Sequence, residues 1–327
     1  MKTAKVENNS IVIKEHKNET LDRRKGAIIN VLGCGLCGSD IVKLKHNLVK
    51  NGAVLGHEIV GKIVDIDSET EFKKGDIIIT SHHIPCGKCE YCKNGNVSMC
   101  RHFKQTNIIP GGFSELVFVS EEHLKNVAHL KPENLSNIEA SFYEPLGCCV
   151  RAIKRAYLNK NSTALVVGLG SIGIIMAQAL KAFGMNVVGC DLISSRVNLL
   201  KNLGIEAFGV NELCESIKVD CVFMTSGSDK AIETALKYVR DGGKILVFSS
   251  TPNNFGYANN EIYYRELTVL GSYSPSPADL KDSLELLKNK EVKVDNLSTI
   301  YPLEKVQKAI NDTLENKIMK AYIQINS

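Results

Sequence analysis

The chain carries no large surplus of charge of one sign, no unbroken hydrophobic run long enough to span a membrane, no internal repeat and no low-complexity tract. Its 40 lysines and arginines face 36 acids over 327 residues. That balance is too even to mark a nucleic-acid surface. The basic clusters Arg23, Arg24, Lys25 and Lys43, Lys45 are short and read as solvated surface. The opening Met1-Lys2-Thr3-Ala4 lacks the pattern of a secretory leader. Residues 161–180 hold no charge, but three glycines and Gln178 interrupt them, which rejects a membrane span. What remains is 44% hydrophobic and 23% charged, ordinary for a globular chain with a real core. The length suits two domains.

Eleven cysteines are present, and four crowd into sixteen residues: Cys86, Cys89, Cys92 and Cys100, spaced C-x2-C-x2-C-x7-C. Gly87 and Gly95 let this loop curl around one point. Four thiolates at such separations match a closed tetrahedral Zn²⁺ site that staples a loop. The bacterial iron–sulfur run also begins C-x2-C-x2-C but continues x3-C-P, whereas here seven residues intervene and Arg101 follows. Cysteines grouped at metal spacing point to a reducing cytoplasm rather than to disulfides.

The first stretch reads as short β-branched strands at 11–13, 28–31, 59–64, 76–80 and 113–119. From Asn161 the texture changes to βαβ alternation. Strands are expected at 164–167, 186–189, 219–224 and 244–248, with helices at 172–183, 195–203 and 230–239. A long amphipathic segment follows at 278–288, then 303–314 and a terminal strand at 321–325. The fold class is therefore α/β: a β-rich domain interrupted by a Rossmann-type, doubly wound parallel-sheet domain.

Gly168-Leu169-Gly170-Ser171-Ile172-Gly173 is a G-x-G-x-x-G between an expected buried strand and an apolar helix. Gly168 permits the tight turn, Gly170 lets the backbone approach a pyrophosphate, and Gly173 allows close helix–strand packing. Ser171 and Ile172 then open the helix, whose N-terminus favours the phosphates. Asp191 ends the next strand eighteen residues after Gly173, placed to accept from the ribose hydroxyls and repel a 2′-phosphate, which favours NAD over NADP. Its other reading is a cap on the following helix, for which Ser194 serves equally. Arg196 lies close enough to stack on adenine or to attract a phosphate, and Thr225, at the end of the 219–224 strand, completes the cofactor-contact set.

Cys37, His57, Glu58 and Glu144 are all residue types that bind Zn²⁺, and three protein ligands with one open position make a catalytic site. They span over a hundred residues, so spacing alone cannot join them. The ordered set G-x-C-G-S-D (35–40), G-H-E (56–58), C-x2-C-x2-C-x7-C, G-G-F-x-E (111–115), E-P-L (144–146) and G-x-G-x-x-G resembles the zinc-dependent medium-chain alcohol dehydrogenases, nearest the polyol (sorbitol) and threonine dehydrogenase-like branch. The likeness runs from about Val31 to the C-terminus, through Arg265 to Ser272 and Pro302 to Lys305.

The resemblance implies a GroES-like catalytic domain at 1–150 and 276–327 carrying the structural-zinc lobe, and a Rossmann NAD-binding domain at 151–275. It implies Cys37 and His57 on a catalytic zinc, with Glu144 as third ligand or water-mediated partner, and Glu58 beside the metal or coordinating it. Asp40 would hold the second nitrogen of His57, Ser39 would accept the alcohol proton, and the four lobe cysteines would bind a second zinc. The implied reaction passes hydride between a secondary alcohol (polyol, cyclitol or amino alcohol) and NAD in a cleft between domains, with zinc polarising the substrate oxygen. The partner is a small alcohol or carbonyl compound, with no nucleic acid and no membrane, and family members form dimers or tetramers. A primary-alcohol dehydrogenase or aldehyde reductase, and a silent zinc- and nucleotide-binding protein, are the alternatives.

The pattern breaks in places. Val42 stands where many relatives carry the histidine that ends a proton relay, so the relay ends on water, cofactor ribose or another residue such as His46. Ser274-Pro275 replaces the Arg-Tyr pair with which sorbitol dehydrogenases grip hydroxyls, which disfavours sorbitol. The interval 40–56 is trimmed, reshaping the substrate mouth. His82 and His83, just before the cysteine lobe, have two readings, lining that mouth or lying in a solvent-exposed loop, and the exposed loop is favoured. Cys34, Cys148 and Cys149 read as small buried hydrophobes.

Overall fold

The computed structural model describes residues 1–15, 25–249 and 259–326. Arg23 and Arg24 of the first basic cluster lie outside them. The chain divides into two compact units, one of Met1–Glu144, Ser276–Leu280 and Val294–Ser327, the other of Pro145–Pro275 and Lys281–Lys293. The sequence boundaries at 150/151 and 275/276 differ from this division at residues 145–150 and 281–293.

In the first unit a seven-stranded sheet grows from β-branched runs. Its order is Ser298–Pro302, Lys320–Gln324, Gly26–Gly35, Glu58–Asp67, Ile77–Thr80 and Ala128–Leu130, with Leu116–Ser120 also paired to Gly26–Gly35. Ala27, Ile29 and Val31 alternate inward from one strand onto a core shared with Ile59, Ile63 and Ile78, the period-2 pattern of a sheet face. Each fully buried side chain of this size contributes about 1.5–3 kcal/mol. The C-terminal strand Lys320–Gln324 returns to pair antiparallel with Gly26–Gly35.

The register decides where chemistry can gather. Gly35 pairs with Glu58, and Ile59 pairs with Thr80. The end of the first strand, the start of the second and the end of the third therefore meet at one edge. Cys37, His57 and His82 sit just beyond those ends, brought together by pairing rather than by sequence proximity.

The second unit is an all-parallel six-stranded sheet in the order Glu206–Gly209, Asn186–Asp191, Thr163–Val167, Val219–Met224, Val239–Val247, Thr268–Gly271. In chain order this is 3-2-1-4-5-6, the doubly wound arrangement of dinucleotide-binding folds. Leu165, Val166 and Val222 are fully buried, as expected for parallel strands covered on both faces. Helices Ser171–Ala182, Ser194–Asn202 and Asp229–Tyr238 follow the first, second and fourth strands. The sequence reading lacked the third and sixth strands, each four residues long, and began the fifth five residues late, at 244. No helix among the described residues is long and apolar enough to cross a membrane.

Candidate active site and nucleotide pocket

The cysteine lobe is built by helix ends. Cys89 stands at the N-cap of the single turn Glu90–Lys93, and Cys100 at the N-cap of Arg101–Gln105. Extended backbone at each cap turns a thiol inward. The sulfurs of Cys86, Cys89, Cys92 and Cys100 all lie within 4.8 Å of one another. Sγ of Cys89 is 3.5 Å from Sγ of Cys92, and Sγ of Cys86 is 4.0 Å from it. Without an ion the thiols titrate unequally: burial pushes Cys92 up to about 12. At Cys100 burial works the same way, but the Cys86 and Phe103 amides bring it down to about 6. Four convergent sulfurs with tetrahedral spacing fit Zn²⁺.

At the sheet edge Cys37, His57 and Glu58 also place donor atoms within 4.8 Å of one another. Cys37 N-caps the helix Gly38–Lys45, its sulfur accepting from the amide of Ser39 at 3.4 Å. The Ser39 hydroxyl donates to the same sulfur at 3.2 Å. Asp40, in the first turn of that helix, sets Oδ1 3.5 Å from Nδ1 of His57, both side chains buried. Burial opposes charge on His57, but Asp40 and the Cys37 thiolate together push its pKa well above the ordinary histidine range. Burial likewise opposes the Asp40 carboxylate, which His57 and Lys43 hold below its usual range. Asp40 thus stands behind the imidazole at ion-pair distance, with neither carboxylate oxygen hydrogen-bonded among the described residues.

Glu58 is the first residue of its strand, and Gly35 opposite leaves room for it: a Cβ at Gly35 would lie 1.9 Å from its Oε2. The carboxylate also meets Lys320 Nζ at 2.6 Å, with the two side chains 1% and 4% exposed. Burial works against the Lys320 ammonium, yet the Glu58 carboxylate holds its pKa above the usual lysine range. Sequence reading missed Lys320. The available signal was a lysine opening an otherwise apolar terminal strand, since lysine is almost never buried unpaired. Glu144, buried in the first turn of Tyr143–Ala156, joins a second set: His57, His82 and Glu144 offer donor atoms within 4.8 Å of one another.

His82 corrects the sequence reading. It is no exposed loop residue: its ring centroid lies 4.4 Å from that of His57 and 3.9 Å from that of His83. Burial and the neighbouring imidazoles push its pKa well below the ordinary range. His83 is lowered to about 4, chiefly by burial, and its Nδ1 lies 2.6 Å from the Thr106 carbonyl. His46 ends the Gly38–Lys45 helix, its amide donating to Val42. Cys34 and Cys149 are fully buried and Cys148 half-buried.

In the second unit a cavity of about 290 Å³ is lined by Gly168, Gly170, Asp191, Arg196 and Thr225, among others. The helix Ser171–Ala182 begins at Gly170, where free amides and the helix dipole favour phosphate. A Cβ on Gly173 would lie 1.9 Å from the Gly168 carbonyl, and a Cβ on Gly170 would meet nothing within 4 Å. One glycine is required for packing and the other leaves backbone open to a ligand. Thr225 donates to the Gly168 carbonyl at 2.6 Å, tying the turn to the neighbouring strand.

Asp191 Oδ2 accepts from the Leu169 amide at 2.5 Å, and its Oδ1 from the Ile193 amide at 2.8 Å. Arg196 Nη1 stands 3.7 Å from Oδ2. Neither Asp191 nor Ser194 caps the next helix with its side chain; Ile193 occupies the N-cap. The carboxylate instead bridges the glycine turn and its own loop inside the cavity.

Residues 23–129 match the alcohol dehydrogenase GroES-like domain, and residues 171–289 the zinc-binding dehydrogenase domain. The chain is 31% identical over 323 residues to D-arabitol-phosphate dehydrogenase of Enterococcus avium, covering 91% of this chain and 90% of that protein. It is 31% identical over 330 residues to sorbitol dehydrogenase of Halalkalibacterium halodurans, 94% of each. Among solved structures, galactitol-1-phosphate dehydrogenase from Escherichia coli superposes with a TM-score of 0.87 over 99% of this chain and 100% of that one, at 22% identity. At that identity the likeness speaks for the fold.

Proposed function

The chain belongs to the zinc-type medium-chain alcohol dehydrogenases, in the polyol dehydrogenase branch, and we propose that it oxidises a secondary alcohol of a polyol, polyol phosphate, cyclitol or amino alcohol with NAD. It is a zinc-dependent, NAD(P)-dependent oxidoreductase with a GroES-like domain and a Rossmann-type sheet. The observation that carries the site reading is that His57 stands in two donor clusters at the sheet edge, one with Cys37 and Glu58 and one with His82 and Glu144.

When bound, zinc supplies Lewis acidity at the substrate oxygen, and NAD supplies the hydride acceptor. Cys37 and His57 hold the metal, with Glu144 as third donor, because one oxygen of Glu58 is engaged by Lys320. Asp40 fixes the imidazole of His57. Ser39 receives the alcohol proton at its hydroxyl and hands it outward to water, since Val42 offers no imidazole. Cys86, Cys89, Cys92 and Cys100 hold the second zinc, which fixes their loop. Gly168, Gly170, Ser171, Ile172, Gly173 and Thr225 cradle the pyrophosphate, and Asp191 and Arg196 flank the adenosine ribose.

The relatives named for sorbitol and for arabitol phosphate bracket the substrate class. Ser274-Pro275 in place of an Arg-Tyr clamp argues against free sorbitol. The cysteine usage suits a reducing cytoplasm, and the family's habit favours a dimer or tetramer.

The test is metal content per chain by elemental analysis, followed on the same sample by NAD and NADP reduction across polyols, polyol phosphates and amino alcohols. Two zincs with NAD-dependent turnover are expected. One zinc without turnover sinks the catalytic reading, and a higher kcat/KM with NADP sinks the role given to Asp191.

A further inference from the structure

We propose that His82 is itself a ligand of the catalytic metal, a nitrogen donor that the family resemblance does not assign. The inference rests on the catalytic-zinc reading above and extends it by one residue. A ring nitrogen of His82 lies within 4.8 Å of the donor atoms of both His57 and Glu144. Two imidazoles on one tetrahedral Zn²⁺ at about 2.0–2.1 Å hold their nitrogens roughly 3.3 Å apart. The two ring centroids stand 4.4 Å apart.

Two further observations single out His82. Its Nδ1 is buried and has no hydrogen-bond partner among the described residues. Buried polar side-chain atoms are nearly always paired, so an unpaired one on a ring beside two other donor groups asks for a ligand. The residue is also held in place. Its carbonyl accepts from Nε2 of His123 at 3.0 Å, and Nδ1 of His123 lies 2.7 Å from the Ser120 hydroxyl. A carbonyl only accepts, so Nε2 of His123 carries the proton and its Nδ1 accepts from Ser120. His123, a buried histidine outside the implied site, thereby anchors the backbone of His82 to the start of the Glu121–Asn126 helix.

The neighbouring His83 is not among the residues whose donor atoms cluster with His57 and Glu144. Glu58 is partly withheld by Lys320. Cys37, His57, Glu144 and His82 then make four protein donors for the resting ion, two of them neutral imidazoles. A site with fewer carboxylates leaves more positive charge on the metal.

The test compares wild type, His82→Phe and His82→Cys after replacing zinc with Co²⁺. The visible spectrum is read as a difference against Cys37→Ala, which isolates the pocket ion. Loss of zinc to a chelator is followed on the zinc forms, and a thermal melt checks folding. His82→Phe should shift the Co²⁺ bands and release one of two metals about 10- to 100-fold faster, at least the loss seen when residues supporting a metal ligand are removed. His82→Cys should recover retention and add thiolate-to-cobalt charge-transfer absorption, a signal readable even where His82→Phe does not fold. An unchanged spectrum and unchanged release in both variants overturn the proposal, and a raised KM alongside them reassigns His82 to the substrate. A wild type holding one metal, retained by the cysteine lobe, removes the catalytic-zinc reading and this inference together. Two metals with turnover but no spectral response remove this inference alone.

Discussion

The two candidate metal centres of the first unit are built in opposite ways. The cysteine lobe gathers its four donors from residues 86–100, a short loop shaped by two helix caps. The candidate catalytic pocket draws on two donor sets that share His57, one with Cys37 and Glu58 and the other with His82 and Glu144, from the ends of elements more than a hundred residues apart along the chain. A local site closes its loop at little entropic cost and returns its binding energy to that loop alone. An assembled site exists only after the sheet has found its register. Metal should therefore stabilise the lobe, whereas the folded sheet should define the pocket.

The sharpest way to break that contrast is a pair of cysteine variants. Cys37→Ala removes a donor from a preformed pocket. It should lower kcat/KM by about 10³-fold or more, several kcal/mol of lost transition-state stabilisation, with the melting temperature nearly unchanged. Cys89→Ala should instead lower the melting temperature by roughly 5–10 °C and open the 86–100 loop to protease. If the two variants melt alike and lose activity alike, the division between a staple and a working site is wrong.

Lys320 tests the assembled site from behind. Lys320→Met leaves the Glu58 carboxylate buried without its cation, which should destabilise by about 3–5 kcal/mol. Adding Glu58→Gln should recover much of that loss in stability but not the activity. Denaturant melts of the two singles and the double give the coupling, and additive effects would mean that the 2.6 Å pair contributes nothing to the pocket.

Legibility in the sequence followed the same divide. The cysteine spacing and the glycine fingerprint are local, and each revealed its geometry from residue types and intervals alone. The apolar strands at 164–167 and 219–224 were readable because parallel strands bury both faces and leave hydrophobic runs, broken here only by Asp220. Glu206–Gly209 and Thr268–Gly271 were not, since four residues containing glycine or charge carry no period. Cys37, His57 and Glu144 could be joined only through the family resemblance, because strand register is not written in intervals. Lys320 escaped altogether, and His82 was favoured as exposed over lining the mouth: histidine in a loop and lysine in a strand read as solvent-exposed until pairing of Ile59 with Thr80, and of Tyr322 with Gly35, draws them inward.

The nucleotide turn provides a third local site, one in which charge rather than metal carries selectivity. Asp191→Asn keeps an oxygen for the Ile193 amide but removes the negative charge. A hydrogen bond to a charged group contributes about 1.5–3 kcal/mol, so the ratio of kcat/KM for NAD over NADP should fall about 10- to 100-fold. Steady-state kinetics with both cofactors reads this directly. An unchanged ratio would assign discrimination to Arg196 or to another part of the cavity.

The smallest effect is expected at Asp220, a purely structural carboxylate in the second unit. Its Oδ2 accepts from the amide and hydroxyl of Thr163 at 2.8 and 2.9 Å, joining the first and fourth strands, and Arg240 Nε donates to Oδ1 at 2.7 Å. The Thr163 amide and then Arg240 hold its pKa below the usual carboxylate value. A depressed folded-state pKa stabilises above the unfolded value of about 3.9 and ceases to as pH falls through the lower folded value. Asp220→Asn should therefore be less stable than wild type by about 1 kcal/mol at pH 7, with the two melts converging below about pH 4. Activity and zinc content should not move. A gap that persists undiminished in acid would show that the loss comes from altered packing rather than from charge, and a loss of metal would break the separation between the two units' polar contacts on which the comparison stands.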